Sequence, residues 1–256
     1  MSQSNGPSLC GRGAAAIAAA LTLAAPGIAD AQQQRRQPQA EPLPMAPMVP
    51  ASGARRYATP DGAVQFVLDR SGGRAALVQF QGDPEVHVLR PVAAAGGGDI
   101  YRTEDGDVML RVTPNGGIIV YTRTLRTGAP VSEVAQVAPL TPEAVAFADM
   151  QARFRALQAR ARRTVGQPVQ FLVPARMSAP VAGVVLDAAE RAAEGLAAAP
   201  MTNVRRVIIN IGPEPRVELH GDQLFIQVAP HLGYAGRPSS NTIRNVVTGA
   251  VQGPED

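Results

Sequence analysis

The sequence predicts an α+β protein: an antiparallel β-meander, forming a curled sheet or a small barrel, followed by a small sheet covered by two or three helices. Two observations carry this prediction. Residues 57–126 break into short runs of alternating apolar and polar residues, separated by turns rich in Gly, Asn and Asp, which is the period of two of half-buried strands. Residues 141–251 carry apolar residues at helical spacing, interleaved with short β-branched runs. A third observation, 45% hydrophobic content over 256 residues, fits a protein with an ordinary buried core.

In the first region strands are expected at 64–69, 75–80, 85–92, 99–103, 108–113 and 118–122. Val108, Leu110 and Val112 face one way, while Met109, Arg111 and Thr113 face the other. Glu104-Asp105-Gly106-Asp107 and Pro114-Asn115-Gly116-Gly117 supply hairpin turns, because Asp-Gly and Asn-Gly tolerate positive φ. Thr59-Pro60-Asp61-Gly62 repeats that chemistry without a fixed period, so it is reused turn chemistry and not a structural repeat. Residues 127–140 read as a connector containing Pro and Ala.

In the second region Thr141 is expected to cap a helix, with Pro142 at its first position. Phe147, Met150, Phe154, Leu157 and Ala161 form its apolar stripe, and Arg153, Arg155, Arg160, Arg162 and Arg163 lie outside it. Gly166 ends this helix, and 169–173 is a short strand. Residues 180–199 form an Ala-rich helix with Val181, Val184, Val185, Ala188, Ala192 and Leu196 inward, closed by Pro200. Strands follow at 204–211, 217–219 and 224–228, with His220-Gly221-Asp222 turning between the last two. Ser240 is expected to cap a short final helix, leaving 252–256 as a disordered tail.

Residues 1–31 have the three-part layout of a secretory signal peptide. A polar start with Arg12 precedes an apolar run from Ala14 to Ala25, and Ala29-Asp30-Ala31 sets cleavage between Ala31 and Gln32. Twelve residues, mostly Ala, are too few to cross a bilayer, and no later stretch is apolar enough, so no transmembrane segment is expected after signal removal. Cys10 lies inside the leader, so disulfides are not expected in the exported protein. Residues 32–56 are rich in Gln and Pro and read as a disordered tether. These features together predict export by the general secretory route to the periplasm or the exterior.

All 24 basic residues are Arg, which excludes a P-loop of the Gly-Lys type, Schiff-base chemistry and a Ser-x-x-Lys dyad. The sequence pI of about 9.6 suggests a nucleic-acid binder, but the net charge is only +3. Residues 57–256 hold 19 Arg and 19 acids, so the folded part has no overall bias toward phosphate backbones, and no nucleic-acid partner is expected.

Candidate chemistry is sparse. Glu85 and His87 share a strand face but would need a further ligand to hold a metal. His220 is explained by its turn, and Glu104, Asp105 and Asp107 by a solvated hairpin tip. No catalytic set, cofactor site or metal site is expected. The richest segment is 229–241, which brings His231, Tyr234, Arg237, Ser239 and Ser240 into a loop leading to a helix N-terminus. There an Arg and free backbone N–H groups suit an anion.

Phe66-Val67-Leu68-Asp69-Arg70-Ser71-Gly72, Gly82-Asp83-Pro84-Glu85-Val86 and Gly233-Tyr234-Ala235-Gly236-Arg237-Pro238-Ser239-Ser240 resemble an uncharacterised family, a domain of unknown function, of exported alphaproteobacterial proteins. The resemblance covers roughly 57–250 and implies no activity. The residues themselves lead to a non-catalytic envelope protein that binds a protein partner or a cell-wall component. The competing expectations are a small periplasmic hydrolase using carboxylates with His231 or His87, and a ligand carrier with a sizeable apolar cavity inside a closed barrel.

Overall fold

The computed structural model describes residues 53–250, apart from Arg74 and Pro200. The signal peptide with its cleavage site at Ala31 and Gln32, most of the tether and the tail at 252–256 lie outside the described residues. No described helix is long and apolar enough to cross a membrane.

The meander closes into an eight-stranded antiparallel barrel. Its strands are β1 (Ala54–Ala58), β2 (Gln65–Asp69), β3 (Ala76–Phe80), β4 (Val86–Ala93), β5 (Asp99–Arg102), β6 (Val108–Val112), β7 (Ile118–Val120) and β8 (Ala129–Val137). Each strand pairs with the next. β4 serves both halves, giving Val86 to Leu89 to β3 and Arg90 to Ala93 to β5. β1 pairs with β8, from Ala54 opposite Val137 to Ala58 opposite Ser132, and this removes both edges.

The two closing strands correct the sequence reading. The end of the expected tether, from Ala54, is β1, and the expected connector contains β8. Arg55 disguises β1, because its charge lies on the outer surface and pairs with Glu133 of β8 at 2.6 Å. Pro130 and a weak Ala/Val pattern disguise β8.

The barrel interior is packed with side chains. Phe66, Leu68, Val78, Leu89, Leu110 and Val120 are buried in one cluster, and Tyr57 stacks on Phe66 with centroids 5.6 Å apart. Eight strands enclose a space that side chains alone can fill. The carrier expectation, which requires a sizeable apolar interior, does not fit this core.

The second layer contains α1 (Phe147–Val165), β9 (Gln170–Leu172), α2 (Ala179–Ala198), β10 (Arg206–Ile211), β11 (Arg216–His220), β12 (Gln223–Val228), a 3-10 segment (Pro230–Gly236) and α3 (Ser240–Thr248). The sheet order is β11-β12-β10-β9. β10 runs parallel to β9 and β12, and β11 forms the expected hairpin with β12. Val207, Ile209, Leu224 and Ile226 face the helices, where Val185, Ala188, Ala192 and Leu196 of α2 and Met150, Phe154, Leu157 and Ala161 of α1 complete the core.

α1 starts later than expected, because Ala146 and not Thr141 stands at its N-cap. The preceding residues lie extended along the start of α2, where Val145 is buried and its N–H donates to Ala179 O at 3.0 Å. Gly183 makes this approach possible, since a Cβ there would lie 1.8 Å from Glu143 O. The cap of α3 is Ser239, one residue before the expected Ser240. Its Oγ accepts the Thr242 N–H at 3.0 Å.

Candidate functional site

Strand direction alone gathers four loops at one end of the barrel: 59–64, 81–85, 103–107 and 121–128. The last three, with α2, α3 and the 237–241 loop, enclose a cleft of about 900 Å³. A cleft at the mouth of a barrel, where two layers meet, is a preferred place for a ligand.

A cluster of buried charges joins the layers beneath it. Glu85, at the head of β4, is 4% exposed, Arg191 of α2 is 1% exposed, and Arg237 is 3% exposed. Ser240 donates to Glu85 through both its hydroxyl and its backbone N–H, the latter at 3.1 Å. Arg237 donates through Nε to Asp187 of α2 and through Nη2 to Val86 O at 2.8 Å, with Nη1 3.6 Å from Glu85 Oε1. Its guanidinium also lies 5.6 Å from the centroid of the Tyr234 ring. One arginine therefore holds the barrel wall, the long helix and its own loop together.

Arg191 occupies the centre of this cluster. Its Nη1 lies 2.8 Å from Glu194 Oε2 and 3.8 Å from Glu85 Oε2, its Nε lies 3.7 Å from Asp187, and its Nη2 lies 3.6 Å from Glu190. Nε and Nη1 make no aligned hydrogen bond, so Arg191 is held mainly by charge. Two guanidiniums thus face four carboxylates. Burial pushes the carboxyl groups of Glu190 and Glu194 above their usual range, against the opposing pull of Arg191.

Nearer the opening, His87 Nε2 lies 3.3 Å from Asp83 Oδ2, and its ring meets Phe80 edge-on at 6.1 Å. The hydrogen bond with His87 holds the Asp83 carboxyl below its usual range. On the next rim loop, Asp105 contacts Ser239, Thr242 and Asn245 of the α3 start, the last at 3.1 Å. Asp105 is therefore a tie between the layers and not part of a freely solvated tip, which corrects the sequence reading.

The expected 229–241 loop residues separate into two groups. Arg237, Ser239 and Ser240 line the cleft, with Arg237 and Ser240 bonded to carboxylates of the chain and Ser239 acting as a cap. Tyr234 lies outside it and donates to Thr141 O at 3.4 Å. His231 is exposed and makes no hydrogen bond among the described residues. Glu85 and His87 both line the cleft but turn to different partners, α3 and Asp83 respectively. No group of three His, Cys, Asp or Glu among the described residues is disposed to hold a metal ion.

Sequence reasoning missed Asp187, Arg191 and Glu194. Their spacing, four and then three along an Ala-rich helix, places them on one helix face and was the available signal.

Residues 43–247 match a sequence family described as Domain of unknown function (DUF4908). The chain belongs to that family. The match spans the barrel, the helical layer and the cleft between them, so this DUF4908 chain carries its candidate site wholly within the family region. Comparison with curated proteins and with solved structures gives no match.

Proposed function

We propose that this protein is an exported, non-catalytic envelope protein that binds a protein partner or a cell-wall component in the cleft at the barrel mouth. The observation that carries the reading is the cleft itself: about 900 Å³, lined from both layers, and built over a buried charge cluster that fixes its walls. Rigid walls lower the ordering cost of binding. The leader at 1–31 and the Pro/Gln-rich segment after it support export and tethering, with the tether ending where β1 begins.

A thermal-shift screen of the full chain against peptidoglycan fragments, short peptides, acidic sugars and lipids tests the binding reading. A ligand present at a hundred times its dissociation constant adds about 2.7 kcal/mol to stability. A shift with a cleft ligand, lost when Phe80 or Val88 is changed to Asp, supports the reading. A shift that survives those changes contradicts it. Cell fractionation and the mass of the exported N-terminus test export, with Gln32 as the expected first residue.

A second reading, hydrolysis by carboxylates, draws on one observation: Glu194 is held toward its protonated form by burial, in the cleft that also contains the Asp83–His87 pair. It requires turnover of a cell-wall glycan or peptide that disappears in Glu194→Gln while folding is retained.

A further inference from the structure

The charged groups of the cleft divide into those held by partners within the chain and those in no ion pair among the described residues, which include the rim carboxylates of Glu104 and Asp107. Asp83 is engaged with His87, Glu85 with Arg191, Arg237 and Ser240, Glu194 with Arg191, and Asp105 with the start of α3. Arg123, Arg126 and Arg244 also line the cleft, yet none of the ion pairs among the described residues includes them. These three guanidiniums, of which Arg244 also donates through Nη2 to Asn245 Oδ1 at 3.3 Å, line one concave space from two layers without an ion pair among the described residues.

Their placement follows from the topology. Around the closed barrel the rim loops run in the order 59–64, 81–85, 103–107, 121–128, so the loop bearing Arg123 and Arg126 stands across the mouth from Asp83 and Glu85. That basic loop is a fixed turn. Leu125 N donates to Thr122 Oγ1 at 3.1 Å and Gly128 N donates to Leu125 O at 3.1 Å. Gly128 adopts φ +81° against Tyr121 and Ile119, where a Cβ would come within 2.7 Å of both side chains. Arg244 approaches from α3.

The remaining lining narrows the ligand class. Asp83, Glu85, Glu104, Asp105, Asp107 and Glu194 line the same cleft, so a polyanion such as a nucleotide or a nucleic acid meets repulsion from most sides. A single carboxylate on an otherwise neutral or cationic body suits both sets: guanidiniums grip the carboxylate, and the acids and hydroxyls accept N–H groups. We infer that the cleft seats the free C-terminal carboxylate of a short peptide on Arg123, Arg126 and Arg244. This rests on the cleft being the binding site and names the chemistry that it recognises.

The test is calorimetric titration of the full chain with tri-alanine ending in L-Ala, with tri-alanine ending in D-Ala-D-Ala, and with the C-terminal amide of each. The free acids are expected to bind at least about tenfold tighter than the amides, as loss of a charge-assisted pair requires. Arg123→Ala with Arg126→Ala, and Arg244→Ala alone, are expected to remove that difference without moving the unfolding midpoint. A preference for the D-ended acid points to cell-wall stem peptides as the source and a preference for the L-ended acid to a protein tail; either supports the inference. Equal binding of acid and amide, or no binding of either acid, overturns it. If other ligands still perturb the cleft in that case, only the carboxylate assignment falls; if no ligand does, the binding reading falls with it.

Discussion

Ser240, at the start of α3, donates both its hydroxyl and its backbone N–H to Glu85 at the head of β4, a residue 155 positions earlier in the chain. This bond joins the barrel to the helical layer, and the arginines on either side of Glu85 turn it into a cluster that neither layer could hold alone. Removing Glu85 takes away the one carboxylate that the barrel gives to Arg191 and Arg237 and leaves the Ser240 hydroxyl and N–H without their buried acceptor. Glu85→Ala is expected to cost about 3–5 kcal/mol, which lowers the midpoint by roughly 10 °C in a protein of this size. Thermal unfolding followed by circular dichroism measures it, and a change within experimental error would show that the cluster does not hold the layers together.

The cluster also sets how stability responds to pH. Burial raises the folded-state pKa of Glu190 and Glu194 above the ordinary value of 4.5, so the folded protein binds more protons than the unfolded chain just above that value. Their contribution is fully present below about pH 4.5 and is lost as pH rises through the folded pKa. Asp83 acts in the opposite sense: its lowered pKa gives stability that is present above 3.8 and lost as pH falls through the folded value. Glu190→Gln with Glu194→Gln is expected to flatten the decline on the neutral side of pH 4.5 while leaving the acid limb in place. Denaturant midpoints across a pH series check this, and an unchanged neutral slope would argue against the burial effect.

Packing at Gly183 makes a separate prediction. Ala at this position would place its Cβ against Glu143 O and push the 141–146 segment off α2. Overpacking of this kind costs about 1–3 kcal/mol. Gly183→Ala is expected to lower the midpoint, whereas His231→Ala, on an exposed side chain, is expected to stay within about 0.5 kcal/mol of the parent. Comparable losses from both would contradict the burial pattern.

Much of the fold was legible because it is written in local patterns. The helical stripe from Met150 to Ala161 reappears with the expected face, and so does the period of two at Leu110 and Val112, although a register shift opposite Tyr101 and Arg102 leaves Val108 exposed. The barrel closure was not legible. β1 and β8 lie far apart in sequence; two consecutive outward Arg and a register shift between Arg56 and Tyr57 break the alternation in β1, and Pro130 with few large apolar residues blurs it in β8. The site was half legible for a related reason. Arg237, Ser239 and Ser240 were found as a polar loop. Their partners Glu85, Asp187 and Asp105 come from three other elements, and only the folded topology brings them within hydrogen-bonding distance.

Whether the barrel mouth is the binding site is tested most directly by a chemical-shift map of the isotopically labelled full chain titrated with peptidoglycan fragments and short peptides. Saturable shifts are expected only on the cleft wall, at Phe80, His87, Thr103, Thr122 and Arg244, with little change on the far face of the sheet at Leu172, Ile208 and Phe225. Saturable shifts centred on that far face, with the cleft residues unmoved, would contradict binding at the barrel mouth.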